Sequence, residues 1–229
     1  MREVLRYAVF VTKEKQRFAL VAVLLLWCVL LIAYQMTRGQ IGLGRAMVWN
    51  LFLALLPLLF GLAFRKCVQR ENHFLTGVFF VLWLLFLPNA PYLLTDLVHL
   101  TSAYDPRPAK LWSLLAMLLA CAGTGTLLGY FSLLDVQQAI ERKRGARDGW
   151  IVAVSSLMLC GFGIYLGRFL RWNSWDALLQ PLRLAKVVAE KTFDFTAQPQ
   201  PIVVTFVFGI GLILGYLALR VFAAGLQEK

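Results

Sequence analysis

Residues 74–100 read FLTGVFFVLWLLFLPNAPYLLTDLVHL, and this stretch decides how the chain is organised. Its first fourteen residues are mostly apolar. As a helix they reach about 21 Å, short of a hydrocarbon core of roughly 30 Å. Pro88 and Pro91 then remove two amide donors and disfavour helix in the residues before them, yet leucines continue beyond. The pattern predicts a third membrane span broken at Pro88 and Pro91, whose second half begins near Pro91 with Asn89 as its cap.

Apolar runs of similar length recur on both sides of this stretch. The chain has 229 residues, of which 60% are hydrophobic and 15% charged, and its mean hydropathy is +0.70. A soluble domain is about 45–50% apolar and about 25% charged. Its 17 Phe, 7 Trp and 7 Tyr exclude a disordered chain. The sequence predicts an all-α polytopic helix bundle, a single integral membrane domain over residues 1–229 with about six spans near residues 18–36, 46–64, 74–100, 111–134, 150–170 and 202–222.

The charge pattern predicts an orientation. Lys and Arg number 23 against 12 Asp and Glu, a net charge of +11. On one side of the predicted spans, 14 basic residues lie in segments 1–17, 65–73, 135–149 and the tail from residue 220. The loops on the other side carry 8. This bias predicts a bacterial inner-membrane protein with both termini in the cytoplasm, and it explains the basic balance without nucleic-acid binding. We interpret Asp135, Glu141 and the basic residues 142–147 as a solvated cytoplasmic loop.

The second half of the third span carries a polar stripe. Tyr92, Asp96 and His99 are spaced i, i+4 and i+7, which places them on one helix face. An aspartate within hydrocarbon costs about 2.5–3.5 kcal/mol at mid-span, so it usually faces a partner or a cavity. A functional site and a hydrogen-bonded structural kink near the interface both fit this pattern.

A second polar stretch, GRFLRWNSWD at residues 167–176, follows the fifth span. Arg168 and Arg171 are spaced i, i+3, so on a helix they share a face suited to holding a phosphate or carboxylate. Asn173 and Asp176 form a capping pattern that opens another helix. That helix, about residues 175–191 and bent near Pro181, is predicted to be amphipathic and to lie in the outer interface.

Topology places both stretches at the outer end of their spans. Asn50, Tyr34 and Gln35 fall at the same level. The sequence therefore predicts one polar pocket at the outer face. Asp96 and His99 are its candidate catalytic residues, because a carboxylate could orient the imidazole as a base. The candidate ligand-binding residues are Asn89, Tyr92, Arg168, Arg171, Asn173 and Asp176.

Small residues and cysteines complete the pattern. Three small-xxx-small pairs, which let helix backbones approach closely in lipid, predict packing between spans of this chain: Gly125/Gly129, Gly163/Gly167 and Gly211/Gly215. Four cysteines stand far apart, which supports neither a zinc site nor a disulfide framework. We expect no cofactor and no metal. A metal site formed by Asp96, His99 and Asp176 is a weakly supported alternative.

The two polar stretches also resemble a known family. PNAPYLLTDLVHL at residues 88–100 and GRFLRWNSWD at residues 167–176 look like the bacterial integral membrane family called domain of unknown function 1361. The resemblance covers roughly residues 47–222. It implies a small polytopic bacterial membrane protein without an established activity, and it assigns no catalytic residue.

Three functions remain open at this stage. The first is binding or processing of an anionic lipid or lipid-linked group at the outer face, with membrane lipids as partners. The second is a small transporter that uses the broken span as its site. The third is a non-catalytic partner-binding or assembly subunit, in which Asp96 and the arginines form an internal ion pair. No nucleophile motif or phosphate loop indicates a reaction class.

Overall fold

A computed structural model describes residues 2–102, 108–192 and 200–225 of the chain. Within these residues the regular structure is helical, without a β-strand. The α-helices are α1 (Arg2–Thr37), α2 (Ile41–Gln69), α3 (His73–Phe86), α4 (Asn89–Tyr92), α5 (His99–Ser102), α6 (Pro108–Arg144), α7 (Ala146–Phe169), α8 (Ser174–Leu179), α9 (Pro181–Thr192) and α10 (Gln200–Gly225). A 3₁₀ helix, Leu93–Val98, joins α4 to α5.

Six helical segments of the described chain are long and apolar enough to cross a membrane. They are Glu14–Thr37, Ile41–Gln69, His73–Thr101, Ala109–Arg144, Ala146–Phe169 and Gln200–Ala223. The predicted all-helical membrane architecture with six spans is confirmed. Several helices extend beyond the predicted apolar runs; α6, for example, continues through the exposed residues Arg142, Lys143 and Arg144.

Helix α6 organises the bundle. It packs against α1, α2 and α7, and α10 packs along α7 on the far side. Trp83 of α3 is completely buried and donates its indole N–H to the Ser132 hydroxyl of α6 at 3.1 Å. Apolar side chains on the perimeter, such as Val23 and Val207, are largely exposed, as expected of surfaces that face lipid.

The third span changes its backbone geometry beyond Phe86. Pro88 caps the short helix α4, and the Asn89 side chain does not act as the predicted cap. The following Leu93–Val98 segment is a 3₁₀ helix rather than the predicted α-helix. With about three residues per turn, positions four apart no longer align. The predicted single stripe of Tyr92, Asp96 and His99 is therefore wrong: Asp96 and His99 stay one 3₁₀ turn apart, and Tyr92 turns away.

Glycines on both sides hold this irregular segment. A Cβ on Gly125 of α6 would overlap the Ala90 carbonyl oxygen, and a Cβ on Gly163 of α7 would overlap the Pro88 ring. The second glycine of each pair meets the same segment, Gly129 at Ala90 and Gly167 at the Tyr92 ring. These two pairs thus serve packing within the chain. In the third pair, Gly215 closely approaches the Tyr130 hydroxyl of α6, whereas Gly211 faces open space.

A buried polar cluster lies at the end of the bundle near the α2–α3 turn. Asp135 of α6 is 1% exposed, and its carboxylate accepts hydrogen bonds from Arg17 at 3.1 Å and Arg65 at 2.8 Å. Beside it, Gln137 donates to Glu141 at 2.8 Å. The interpretation of Asp135 and Glu141 as a solvated loop is wrong, because α6 remains helical to Arg144 and two other spans bring arginines to it. We call this end of the bundle the Asp135 end and the opposite one the Asp96 end.

Candidate functional site

Asp96 is the most buried charged residue at the Asp96 end. It is 3% exposed, and its Oδ2 accepts a hydrogen bond from Asn50 Nδ2 of α2 at 2.9 Å. Its other oxygen, Oδ1, has longer contacts: Arg168 Nη1 of α7 at 3.4 Å and His99 Nε2 at 3.8 Å. Three spans therefore converge on one carboxylate. Oδ1 of Asp96 is therefore held less tightly than Oδ2.

Asn89 joins the broken span to the segment that follows α7. Its Nδ2 donates to the Phe86 carbonyl at 3.1 Å and to the Ser174 hydroxyl at 2.8 Å. Ser174 is the first residue of α8, and the start of this helix is closed by Asp176, whose carboxylate accepts the Asn173 backbone N–H at 2.8 Å. The predicted capping pattern of Asn173 and Asp176 is confirmed. The Asp176 carboxylate therefore caps the start of α8.

Arg171 does not share a helix face with Arg168. Helix α7 ends at Phe169, and Arg171 takes a left-handed conformation with φ +56°. The Trp172 N–H then donates back to the Leu166 carbonyl at 3.1 Å, which closes the helix end. The predicted arginine pair on one face is wrong, because the chain reverses between the two residues. Arg168 faces Asp96, and Arg171 is exposed.

A cavity of about 340 Å³ opens beside these contacts. One part of its lining carries side-chain amides and hydroxyls, and the rest is apolar or aromatic. Its lining includes Trp49, Asn50, Leu84, Pro88, Asn89, Tyr92, Leu159, Phe162, Gly163, Leu166, Trp172, Asn173, Ser174 and Ala177. Three of the eight predicted site residues belong to it: Asn89, Tyr92 and Asn173. The other five lie outside the lining: Asp96, His99, Arg168, Arg171 and Asp176.

The cavity offers neutral hydrogen-bond donors. The Ser174 oxygen already accepts from Asn89, so its own proton is available to another acceptor. The Tyr92 side chain lines the cavity, and within the described chain its hydroxyl makes no hydrogen bond. A ligand group rich in acceptor oxygens, such as a phosphate, a carboxylate or a sugar, matches these donors.

Sequence reasoning missed several lining residues. Asn50 was placed at the right level but was not counted in the site, although a lone amide in an apolar run is the signal that marks it. Ser174 lies inside the second polar stretch and was read only as part of a helix start. Trp49 and Trp172 were not singled out. Because Trp is common at membrane interfaces, its type alone does not mark a cavity wall.

The described residues hold no group of three His, Cys, Asp or Glu side chains placed to bind a metal. All four cysteines are free thiols. Cys28 lies 3.2 Å from the Thr124 hydroxyl, in the packed interior between α1 and α6. These cysteines serve as packing residues in the described structure.

One family model matches this chain, over residues 49–215, and it is described as a protein of unknown function, DUF1361. The chain belongs to this family. The matched range includes both polar stretches, the glycine pairs of α6 and α7, and every residue that lines the cavity. No curated protein and no solved structure matches the chain. This member of DUF1361 is a multi-pass membrane protein, and its activity has to be argued from its own geometry.

Proposed function

We propose that the cavity at the Asp96 end binds the headgroup of an anionic lipid or lipid-linked molecule. The single observation that carries the proposal is the mixed composition of the lining. It combines amides and hydroxyls from Asn89, Tyr92 and Ser174 with leucine and phenylalanine side chains of α3 and α7. Such a cavity accommodates a polar group attached to hydrocarbon.

The orientation of the chain supports the choice of leaflet. Helix α1 begins and helix α10 ends at the Asp135 end, where Arg17 of α1 contacts Asp135 and Tyr216 of α10 donates to Gln137. Most Lys and Arg residues flank the spans on this side, and such flanks stay in the cytoplasm. The Asp96 end then faces the periplasm of a bacterial inner membrane. A ligand of this cavity would enter from the outer leaflet.

Arg171 supports the anionic character of the ligand. It adjoins Trp172, which lines the cavity, and within the described chain it has no carboxylate partner. Arg168, in contrast, is paired with Asp96. An exposed guanidinium one residue along the chain from a lining residue supports the choice of an anion, because its donors suit a phosphate.

The test is native mass spectrometry of the purified protein, with retained molecules identified after release. We expect wild type to retain a discrete anionic lipid or lipid-linked species. Ala177→Phe, which fills the lining, should lose it, and Arg171→Ala should weaken it. Leu178→Phe is the matched control, because Leu178 is the exposed neighbour outside the lining. Equal adducts in wild type and Ala177→Phe, with equal thermal stability, would remove the proposal.

A second candidate function, a non-catalytic assembly subunit, is favoured by the Asp96–Arg168 ion pair. This contact joins the third and fifth spans inside the chain. In this case Asp96 and His99 have no role in a reaction. A charge swap of Asp96→Arg with Arg168→Asp should then partly restore the stability that each single change removes. A double-mutant cycle without coupling would exclude the pair as a structural element.

A further inference from the structure

A second and larger cavity, of about 930 Å³, lies at the Asp135 end. It opens where the ends of α2 and α6 meet the starts of α3 and α7. Its lining residues are Phe64, Val68, Glu71, His73, Thr76, Gly77, Phe80, Ala139, Ile140, Lys143, Arg144, Asp148, Ile151 and Val152. It shares no residue with the cavity at the Asp96 end. It is therefore an independent site.

More than half of this lining is apolar or glycine, and it reaches the lipid-facing perimeter of the bundle at Gly77 and Ile151, which are exposed. Phe64, Phe80 and Val152 contribute hydrocarbon walls, and Ile151 is both a wall and an exposed side chain. Phe74 and Val78, beside the cavity on α3, are exposed as well. A hydrocarbon chain of the surrounding lipid can reach such a cavity sideways, without passing through water.

The polar rim of the cavity is itself balanced, with Lys143 and Arg144 against Glu71 and Asp148, and the excess of positive charge comes from the adjoining segments. The two adjoining segments, residues 66–72 and 141–148, carry six Lys or Arg residues and three Asp or Glu residues. Lys143 has a loose contact of 3.7 Å with Glu71, whose side chain is 80% exposed. Arg144 lines the cavity without a carboxylate partner in the described chain. This excess favours a negatively charged headgroup over a zwitterionic one.

The start of α7 also reaches this rim. Gly145 precedes the helix with φ +95° and has no side chain to cap its first amides, and Arg144, which lines the cavity, is the residue directly before this glycine. Asp148, in the first turn of α7, lines the cavity as well and offsets the partial positive charge of the helix N-terminus. The positive charge available to a headgroup therefore comes from Lys143 and Arg144, which lie above apolar walls.

We propose that this cavity binds one anionic phospholipid from the leaflet at the Asp135 end. Its phosphate lies at Lys143 and Arg144, and its acyl chains lie against Phe64, Phe80 and Ile151. The binding requires both parts of the lipid. A free phosphate lacks the apolar contacts, and phosphatidylcholine lacks the net negative charge.

The test measures lipid retention by native mass spectrometry of delipidated protein mixed with phosphatidylglycerol, phosphatidylcholine or glycerol 3-phosphate. We expect wild type to retain one phosphatidylglycerol in preference to the other two. Lys143→Gln with Arg144→Gln should weaken this retention by about tenfold or more. Arg142→Gln with Arg147→Gln is the matched control, because it removes the same charge from residues outside the lining.

A second pair of variants tests the cavity itself. A Cβ on Gly77 would meet no atom within 4 Å, so Gly77→Leu extends into the open space of the cavity without a backbone clash. Gly211→Leu on α10 is its control, since Gly211 is equally open and lies outside the lining. Gly77→Leu should lose the phosphatidylglycerol and Gly211→Leu should keep it. If Gly77→Leu fails to fold, the charge variants alone decide.

Several results would overturn the proposal. Equal retention of phosphatidylglycerol and phosphatidylcholine would show a general hydrocarbon groove. Equal retention of glycerol 3-phosphate would show a site for the anion alone. Equal losses in the lining variants and their controls would place the lipid elsewhere. A dimer that Gly77→Leu dissociates would assign the surface to a second copy of the chain.

Discussion

The two ends of the bundle each bury one aspartate, and they hold it differently. Asp135 receives two arginines from two other spans, with three contacts between 2.8 and 3.1 Å. Asp96 receives one close hydrogen bond, from Asn50 at 2.9 Å, and the Arg168 guanidinium and the His99 imidazole lie 3.4 and 3.8 Å from it. Asp135 and Asp96 are similarly buried, at 1% and 3% exposed, so the two aspartates differ in the side chains that contact them.

This difference indicates that the cluster around Asp135 is a fixed structural element, whereas the contacts of Asp96 can rearrange. At the Asp135 end, both carboxylate oxygens have close cationic partners that are themselves mostly buried, and Arg65 also contacts Glu14, so the removal of Asp135 leaves Arg17 without a carboxylate partner in the described chain. At the Asp96 end, Arg168 is 27% exposed and His99 is 41% exposed. Water can hydrogen-bond to both side chains if Asp96 is changed. The loosely held aspartate is also the one beside a cavity with polar donors.

The largest effect is expected for Asp135→Ala. It would leave Arg17 without a carboxylate partner in the described chain and remove one of the carboxylates that Arg65 contacts, and breaking a buried pair costs about 3–5 kcal/mol. Thermal unfolding in detergent should show a large loss of stability or a failure to accumulate folded protein. Glu71→Ala, at a side chain that is 80% exposed, is the control and should change little. An unchanged melting temperature for Asp135→Ala would end the distinction between the two ends.

A smaller effect, at the Asp96 end, is expected for Gly125→Ala. The added methyl group would meet the Ala90 carbonyl and the Leu93 side chain, so the broken span must shift away from α6. Overpacking of this kind costs roughly 1–3 kcal/mol. Gly123→Ala, on the same helix, meets no atom within 4 Å and should be neutral or slightly stabilising. Equal losses in both variants would contradict the close approach at Gly125.

Asp96→Asn should destabilise less than Asp135→Ala, by roughly 1–1.5 kcal/mol. The amide oxygen of the new side chain can still accept the hydrogen bond from Asn50, and Arg168 can turn towards water. Asp96→Leu should lose more, because it also deprives Asn50 of its acceptor. The free energy of unfolding of these variants, measured side by side, checks the order. A loss in Asp96→Asn as large as in Asp135→Ala would mean that Asp96 is held as tightly.

The smallest effect is expected for His99→Gln. The imidazole is 41% exposed and stands 3.8 Å from the carboxylate, which is typical of a weak surface ion pair. Such pairs contribute about 0–1 kcal/mol, so the free energy of unfolding should change by less than about 0.5 kcal/mol. The measurement is the same detergent unfolding, with wild type as the reference. A loss above about 1 kcal/mol would show that His99 helps to hold Asp96.

The sequence predicts the fold well because membrane crossing depends on local composition. Six apolar runs correspond to six long helices, and the prolines at 88 and 91 mark the place where regular α-helix ends. Asn173 and Asp176 are three residues apart, so their capping contact is also local. Each of these features depends on neighbours within about one turn of helix or on one continuous run.

The contacts that build the two clusters are not local, and the sequence-based predictions for these residues were wrong. Arg17 and Asp135 are 118 residues apart, and nothing in their flanks shows that they meet. The basic residues after Asp135 suggested a loop, although α6 continues through them. At the other end, a change from 3.6 to three residues per turn was enough to separate Tyr92 from Asp96. The left-handed Arg171 likewise broke the predicted arginine pair, so the candidate site divides into an ion-pair cluster and a separate cavity.

The most direct test of this account compares two double-mutant cycles, one for Arg17 with Asp135 and one for Arg168 with Asp96. Each cycle measures the coupling in the free energy of unfolding between an arginine and its carboxylate. The account predicts about 2–3 kcal/mol for the Arg17–Asp135 pair and less than about 1 kcal/mol for the Arg168–Asp96 pair. Equal coupling, or stronger coupling at Asp96, would contradict the view that one end of the bundle is fixed and the other is left adaptable beside its cavity.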